Sequence, residues 1–455
     1  MIMKKRTKLK LSTTHVILLG FLLTVLIGSL LLYLPISVKD GVSVSYIDAL
    51  FTATTSTCVT GLVTVVTADT WSVFGQVVIL LLIQIGGLGV ITVMSAFMLL
   101  LHRRMGLNDI ILIQDSLNLN TMSGLASFIK KVVTGTFIVE GVGALLYMTV
   151  FVPEFGMRGV WISVFNSVSA FCNAGIDIIS ADSLMAYALN PIVNIVTSLL
   201  IIIGGIGYVV WWDVIRISKE FKKSGLKSLQ KLTLHSKIAI ITSLILIFAG
   251  GMLIFIFEYN NPLTIGNLSL FDKLQVSFFQ SVTTRTAGFA TVSQNHLTDA
   301  TSILCLLLMF IGGSPVGTAG GIKTVTFTVL ILAVVSTIRN KNETVAFHRN
   351  ISKDAIRKSL AVTGMAFSIV FISTLLLSLC TSAPFLDILY ETVSATATVG
   401  LTRNLTPLLN TFGKIIIIFT MYLGRVGPIS FAIAFNVKTS VPNIIKNPTE
   451  SISVG

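Results

Sequence analysis

Four glycines recur at nearly equal intervals along this chain, and each one ends a short polar segment between two long apolar segments. They are Gly61, Gly175, Gly288 and Gly400, separated by 114, 113 and 112 residues. Glycine readily adopts the positive φ that can turn successive carbonyls toward one axis. A ring of carbonyl oxygens can replace the hydration shell of an alkali ion. The spacing therefore predicts a pore built from four equivalent pieces of backbone.

The residues before each glycine differ among the four copies, whereas the glycine is repeated. The segments are Cys58-Val59-Thr60-Gly61, Cys172-Asn173-Ala174-Gly175, Arg285-Thr286-Ala287-Gly288 and Ala397-Thr398-Val399-Gly400. Since the side chains vary, the shared chemistry must come from backbone carbonyls. Carbonyl cages of this kind commonly favour K⁺, although whether cavity size or field strength decides is disputed. We predict a K⁺ selectivity filter in these segments, with the ion held by backbone carbonyls only.

Two further residue types recur at nearly fixed distances from the four glycines. An aromatic residue stands ten positions before each glycine, and small residues begin 24 to 29 positions after it. The aromatics are Phe51, Phe165, Phe278 and Tyr390, and the small residues are Gly86-Gly87, Gly204-Gly205, Gly312-Gly313 and Gly424. One such glycine could equally be a turn residue or a helix-packing residue, but four in register favour a repeated pore element. For the downstream glycines, close helix packing is favoured over a hinge.

The elements that must position these segments are apolar. The 455-residue chain is 53% hydrophobic and 11% charged, with a mean hydropathy of +0.90, which indicates an integral membrane protein in a lipid bilayer. Crossing about 30 Å of hydrocarbon takes roughly 20 apolar residues in a helix. Eight stretches meet this requirement: about 14–35, 71–101, 130–152, 191–212, 236–258, 301–338, 358–382 and 413–437. Eight spans place both termini on one side.

The basic residues orient the spans. Of 32 Lys and Arg residues, 24 lie in the two terminal tails and in the loops near 102–131, 213–237 and 339–358. By the positive-inside rule this side is cytoplasmic. The net charge of +13 thus follows from topology. A nucleic-acid partner, which would need basic residues interleaved with aromatics on one face, is not predicted.

Four short segments lie between paired spans, at about 46–57, 160–171, 272–284 and 385–396. They are too short to cross the bilayer, so each must enter and return. Irregular backbone at membrane depth requires protein or water around it, because lipid offers no hydrogen-bond partner. We predict half-helices followed by extended returns. Asp48, Asp272 and Asp387 fall near the helix starts, where negative charge suits the helix dipole.

The predicted fold is therefore all-α and membrane-integral. It has four tandem helix–P-loop–helix repeats, with eight spans and four re-entrant pore helices around a central pore, and both termini are cytoplasmic. The repeats are expected at 1–115, 116–235, 236–350 and 351–455, and the third has an interrupted inner helix. Each repeat has an even number of spans, so the repeats are parallel. This argues against the inverted repeats of many secondary transporters.

The four hairpins and two runs of sequence resemble the Ktr/Trk/HKT superfamily of K⁺ transporters, most closely the membrane subunit of bacterial Ktr systems. The runs are Thr283-Thr284-Arg285-Thr286-Ala287-Gly288-Phe289 and the glycine-rich stretch from Gly312 to Thr324. The resemblance implies a gate below the filter, at Gly312, Gly313, Ser314, Pro315, Val316, Gly317, Thr318, Ala319, Gly320, Gly321 and Lys323. Glycine and proline break the helix there, which predicts a wet cavity; a simple kink is the alternative.

Three basic residues lie inside apolar or filter segments, where an unpaired cation is costly. The resemblance implies that Arg425 is an electrostatic barrier at the constriction; the competing interpretation is an ion pair, with Glu140 as the expected acid. For Lys323 both interpretations stay open. The carbonyl of Arg285 is expected to face the pore. Its guanidinium should turn toward a half-helix C-terminus or toward Glu391.

These patterns predict a K⁺-translocating subunit of a potassium uptake system, driven by the membrane potential. It is not an enzyme, because no Walker A stretch, phosphorylated-aspartate motif or catalytic triad appears. The resemblance implies a homodimer in the bacterial cell membrane, regulated by a cytoplasmic ring of nucleotide-binding (RCK-type) subunits that dock on the basic loops. It also implies Na⁺ as an activator, with no organic cofactor. The alternatives are an ion-translocating subunit of an ATP-driven K⁺ pump and a secondary cation symporter.

Overall fold

The computed structural model describes residues 13–101 and 124–427, which are mostly helical. The first quarter contains α1 (Thr13–Tyr33), α2 (Tyr46–Cys58), α3 (Thr67–Thr70), α4 (Val73–Leu88) and α5 (Val90–Leu100). The second contains α6 (Leu125–Phe155), α7 (Met157–Cys172), α8 (Pro191–Gly205) and α9 (Tyr208–Ser224). The third contains α10 (Leu234–Glu258), α11 (Leu270–Thr283), α12 (Asp299–Phe310), α13 (Thr324–Ile338), β1 (Val345–Ala346) and β2 (Arg349–Asn350). The fourth contains α14 (Lys353–Ser378), α15 (Phe385–Ala397) and α16 (Thr411–Val426).

The four short helices α2, α7, α11 and α15 match the four segments predicted to be half-helices. The side chain of Ser45 accepts the amide of Asp48 at the start of α2, and Ser269 accepts the amide of Asp272 at the start of α11. These caps satisfy amides that a helix leaves free at its first turn. Asp48, Asp272 and Asp387 all lie in first turns, as predicted.

Within the described residues, four helices are long and apolar enough to cross a membrane: α1, α6, α10 and α14. The pairs α4–α5 and α8–α9 also pass this test, but they are bent by 95° and 99°, so the spans number six if each pair is counted once. The predicted spans over 71–101 and 191–212 therefore each correspond to two helices joined by a sharp bend, which the sequence analysis did not predict. The bends fall at Gly89 and Gly207, whose φ values of 86° and 95° cannot continue a right-handed helix.

The predicted stretch 301–338 is interrupted, as expected, because α12 ends at Phe310 and α13 begins at Thr324. The predicted stretch 413–437 is helical as far as Val426. Its remainder, from residue 428, lies outside the described residues, as do 1–12 and 102–123.

The helices pack in a closed ring. In each quarter the long helix packs against both the short helix and the helix that follows it, for example α1 against α2 and α4. The quarters then meet in chain order: α4 packs on α7, α8 on α11, α12 on α15, and α16 on α2. The last quarter thus contacts the first.

The short helices occupy the centre of this ring. Every residue of α2 from Phe51 to Cys58 is buried, and so is every residue of α15 from Tyr390 to Ala397. The long helices instead expose large apolar side chains, such as Leu23 and Leu30 of α1. Apolar surface of this extent is unfavourable in water and suits lipid contact.

Candidate functional site

The four repeated glycines lie against one another in a ring at the centre of the molecule. An ideal Cβ on Gly61 would lie 2.5 Å from the carbonyl oxygen of Ala174, the residue before the second glycine. The same relation continues around the ring at 2.3 Å, from Gly175 to the Ala287 oxygen, from Gly288 to the Val399 oxygen and from Gly400 to the Thr60 oxygen. Each glycine therefore contacts the backbone before the next glycine, and the fourth contacts the first.

The backbone conformation repeats in all four segments. The glycines have φ values of 99°, 62°, 83° and 98°, as expected from their residue type. Two residues earlier, Val59, Asn173, Thr286 and Thr398 also have positive φ, between 52° and 69°. Left-handed φ is strained for β-branched residues, so the surrounding structure must enforce it. Sequence reasoning missed all four positions. Asparagine tolerates this conformation, so Asn173 offered a weak signal, but the residue types of Val59, Thr286 and Thr398 offered none.

Hydroxyl side chains of the short helices hold three of the four returning segments. Thr55 Oγ1 accepts the amide of Gly61 at 3.0 Å, and Ser394 Oγ accepts the amide of Gly400 at 3.1 Å. Ser169 Oγ accepts the amide of Ile176 at 3.1 Å. All three hydroxyl residues stand six positions before their glycine. This shared spacing is a signal that the sequence could have shown. In the third quarter, Thr283 donates to the carbonyl of Phe289 at 2.7 Å instead.

The stretch Gly312–Lys323 lies directly against this ring. It is the predicted gate, and it is called the gate segment below. The amide of Gly320 donates to Thr286 Oγ1 at 3.1 Å, and a Cβ on Gly320 would lie 2.0 Å from Thr398 Oγ1. The hydroxyl of Thr318 donates to the carbonyl of Phe171 at 3.1 Å and is 3.2 Å from Asn173 Oδ1. The gate segment therefore touches three of the four glycine-bearing segments.

A second set of hydrogen bonds holds the gate segment to the broken helix of the second quarter. The amides of Ser314 and Thr318 donate to the carbonyls of Gly205 and Gly204, at 2.8 and 3.2 Å. The amide of Tyr208 donates to the carbonyl of Val316 at 2.9 Å. Because α8 ends at Gly205, its last carbonyls are free for these bonds.

Arg425 connects the gate segment to the first quarter. Its guanidinium donates to the carbonyl of Thr318 at 2.6 Å and to the carbonyl of Gly86 in a short hydrogen bond. No ion pair involves Arg425 within the described residues. Glu140 instead accepts from Gln84 Nε2 at 3.3 Å, so the expected Arg425–Glu140 pair is wrong. Backbone carbonyls freed by the helix breaks satisfy the arginine without an acid.

Lys323 and Arg285 also bind backbone oxygens. Lys323 Nζ donates to the carbonyl of Ala319 at 2.6 Å. Arg285 Nη2 donates to Ser243 Oγ at 3.0 Å and to the carbonyl of Gly312 at 3.4 Å. Neither predicted alternative for the Arg285 guanidinium, a half-helix C-terminus or Glu391, is among these partners. The Glu391 carboxylate instead accepts hydrogen bonds from the hydroxyls of Thr402 and Thr406.

Ion pairs fix two of the short helices at their starts, and sequence reasoning missed both partners. Lys414 Nζ lies 2.6 Å from the Asp48 carboxylate, and Arg403 Nε lies 2.6 Å from the Asp387 carboxylate. The paired residues are 366 and 16 positions apart in sequence, too far for local helix spacing to indicate them. Among residues 13–101 and 124–427, no group of three or more His, Cys, Asp or Glu side chains could hold a metal ion.

The fold and this centre together define a multi-pass helical membrane protein whose broken helices surround a ring of carbonyl-bearing turns. The chain matches the TrkH family model, described as cation transport protein, over residues 4–446, and it belongs to that family. The resemblance drawn from the motifs is confirmed, and so is the expected location in the bacterial cell membrane.

Named relatives and a solved structure agree with this assignment. The chain is 42% identical to the Ktr system potassium uptake protein B of Bacillus subtilis, over 94% of each chain. It is 38% identical to the potassium/sodium uptake protein NtpJ of Enterococcus hirae, over 100% of each chain. The crystal structure of the potassium transporter TrkH from Vibrio parahaemolyticus superposes with a TM-score of 0.72 at 18% identity, covering 96% of this chain and 87% of the other. That likeness shows the fold.

Proposed function

We propose that this chain is the K⁺-translocating membrane subunit of a potassium uptake system. The observation that carries the proposal is the ring of Gly61, Gly175, Gly288 and Gly400, in which each glycine meets the carbonyl before the next. A layer of four carbonyls can replace the water around a dehydrating K⁺ ion. The names of the B. subtilis and E. hirae relatives support potassium as the cargo.

The ion path passes the selectivity filter and then the gate. The filter consists of Cys58–Gly61, Cys172–Gly175, Arg285–Gly288 and Ala397–Gly400, and the gate consists of Gly312–Gly321 with Lys323. The membrane potential drives the ion inward with about 2.3 kcal/mol per charge per 100 mV. Arg425 places a fixed positive charge beside the gate segment, and a positive charge there opposes the passage of K⁺.

The proposed topology has eight spans, four re-entrant helices and cytoplasmic termini, with repeats at 1–115, 116–235, 236–350 and 351–455. The cyclic packing of the four quarters supports this division. The four short helices have largely buried C-terminal halves, and each is followed by a glycine at positive φ, which supports the re-entrant assignment.

A cytoplasmic regulatory subunit completes the proposal. The B. subtilis relative is named as protein B of a Ktr system, which supports a multi-subunit assembly. The basic loops 102–131, 213–237 and 339–358 offer the docking surface, although residues 102–123 lie outside the described structure. We further propose a homodimer on a ring of nucleotide-binding subunits. Activation by Na⁺ is supported by the name of the E. hirae relative.

Complementation tests the function directly. The chain is expressed in a bacterium that lacks its own K⁺ uptake systems, with and without a cytoplasmic Ktr regulatory subunit. Growth at low K⁺ and uptake of Rb⁺ are measured at several Na⁺ concentrations. Rescue that requires this chain and increases with the regulatory subunit supports the proposal. A correctly inserted chain that gives no rescue in either strain contradicts it.

A further inference from the structure

An apolar groove of about 640 Å³ lies between α9 and α10, away from the ring of glycines. A groove of this size is within the range of roughly 300–1,000 Å³ that is typical of small-molecule sites. Four of its residues, Val214, Ile217, Ser218 and Phe221, recur at helical spacing and form one face of α9. The other residues are Leu229, Gln230, Leu232, Lys237, Ile240, Ile241 and Phe347. Eight of these eleven residues are apolar.

The orientation of the two helices places this groove at a membrane surface. Helix α9 makes an angle of 99° with α8, so α9 lies along the membrane plane if α8 crosses the bilayer. Helix α10 is a membrane-spanning candidate, and the groove residues Lys237, Ile240 and Ile241 lie in its first turns.

The groove opens toward the hydrocarbon. From Ile241, the exposed apolar side chains of Leu244, Ile245 and Phe248 continue along the same face of α10. This stripe joins the groove to the part of α10 that faces the bilayer core. A hydrocarbon chain can therefore extend from the membrane into the groove without crossing polar surface.

The charge around the groove is strongly positive. Residues 208–237 contain seven Lys and Arg residues against two acids, and Asp213 and Glu220 pair with Arg216 and Lys231. Among the groove-lining residues, Lys237 is the cation. Its Nζ donates to the carbonyl of Gln230 at 2.7 Å and lies 5.9 Å from the ring centroid of Phe347. An ammonium group has three donors, so this bond leaves capacity for an anionic oxygen.

We propose that the groove binds an anionic phospholipid of the cytoplasmic leaflet. Its acyl chain packs among Ile217, Phe221 and Ile240, and its phosphate contacts Lys237. Basic segments beside spans are attracted to anionic leaflets, which supports the choice of headgroup. The lateral opening favours a lipid over a soluble protein segment, because a soluble segment would have to enter through the bilayer side. This proposal does not depend on the ion that the chain transports.

Lipid titration of the purified full-length protein tests the proposal. Delipidated protein in detergent is titrated with phosphatidylglycerol or with phosphatidylcholine, and bound lipid is counted by native mass spectrometry. We expect one phosphatidylglycerol to bind in preference to phosphatidylcholine. The variant Lys237→Gln should weaken that binding about fivefold, and Lys237→Arg should retain it. The matched control is Lys219→Gln, which removes the same charge from an exposed position of α9 outside the groove.

A second variant tests the shape of the groove without changing its charge. Ile240→Trp fills the groove and should abolish the tightly bound lipid while the melting temperature without lipid changes little. Equal binding of the two lipids, or an equal loss in Lys219→Gln and Lys237→Gln, would overturn the proposal. It would also be overturned if a cysteine at Ile240, which lines the groove outside the proposed docking loops, crosslinked to a second copy or to a cytoplasmic partner in membranes.

Discussion

Gly288, in the glycine ring, must lack a side chain for two reasons: its backbone conformation and its close contact with the next segment. Gly288 has a φ of 83°, and a Cβ on it would lie 2.3 Å from the Val399 carbonyl oxygen. Left-handed backbone costs roughly 1–2 kcal/mol for a residue with a Cβ. The same carbonyl is a proposed ion ligand, so displacing it changes the cage as well as the local energy.

We therefore expect Gly288→Ser to lower the preference for K⁺ over Na⁺ about tenfold, the effect of ~1.4 kcal/mol. Rb⁺ uptake with Na⁺ competition in the K⁺-uptake-deficient strain measures it. The control is Gly364→Ser in α14, where an added Cβ meets no atom within 4 Å. Unchanged selectivity in a correctly inserted Gly288→Ser protein would contradict the assigned role.

Arg425 acts as a bridge between the gate segment and the first quarter, through the carbonyls of Thr318 and Gly86. Arg425→Gln removes the charge and at least one of these bonds. We expect Rb⁺ uptake to increase at least about fivefold, which corresponds to ~1 kcal/mol of barrier, and to depend less on the regulatory subunit. The control is Arg158→Gln, which removes the same charge from an exposed position at the start of α7, outside the proposed docking loops. Reduced or unaltered uptake in folded protein would argue against a barrier at Arg425.

At the scale of elements, three downstream glycines let the inner helices touch the short helices. A Cβ on Gly86, Gly204 or Gly424 would lie 2.0, 1.9 or 2.1 Å from the carbonyl oxygen of Thr57, Phe171 or Thr396. These contacts favour helix packing over hinging at these three positions. In the third quarter the equivalent Gly312 instead lies against Gly320 of the gate segment.

Gly424→Ala should therefore destabilise the protein by about 1–3 kcal/mol, as overpacking does. The matched control is Gly141→Ala in α6, where a Cβ meets open space and alanine favours the helix. Thermal unfolding in detergent compares the two. A Gly424→Ala melting temperature equal to that of Gly141→Ala would show that the contact is not close.

Removing the gate segment tests whether it restricts the passage of ions. Deleting Gly313–Gly320 removes its hydrogen bonds to α8 and to Thr286, and we expect Rb⁺ flux to rise. The milder variant Thr318→Val removes only the hydroxyl contacts to Phe171 and Asn173, and it should raise flux less. Folding is checked by size-exclusion chromatography of both proteins. Flux that falls or stays constant in folded protein would count against a gate.

The sequence predicted the positions of the helices better than the positions at which helices bend. Composition and the four-fold register predicted the short helices and the central glycines, because burial and positive φ both restrict residue type. The bends at Gly89 and Gly207 were missed although each lies three residues after a marker glycine, as Gly427 does. Apolar composition continues through the bend, so hydropathy alone cannot detect it. The partners of Arg425 were missed because they are backbone carbonyls, which any sequence supplies. Those of Arg285 were missed because they are a backbone carbonyl and the hydroxyl of Ser243, 42 residues away in sequence.

For the whole molecule, ring closure depends on the contact between the first and last quarters. Lys414 of α16 pairs with Asp48 of α2, and their side chains are only 16% and 14% exposed. Removing one member of a largely buried pair leaves an uncompensated charge. The pair thus ties together two elements separated by most of the chain.

A double-mutant cycle with Asp48→Asn and Lys414→Gln should give a coupling energy of about 1–3 kcal/mol from chemical unfolding. The control cycle uses Asp354 and Lys358 of α14, whose side chains are 68% and 71% exposed. Such a surface pair should give about 0.3–0.5 kcal/mol. Equal coupling in the two cycles would show that the Asp48–Lys414 pair does not hold the ring.

The contact of Gly400 with the Thr60 carbonyl has a consequence for biosynthesis. The ring of glycines lacks its last side until nearly nine-tenths of the chain has been synthesised. If the ring is the proposed filter, a nascent or truncated chain can insert its early helices but has no complete site to enclose a dehydrated ion. On that proposal, the order of assembly keeps unfinished protein from conducting K⁺.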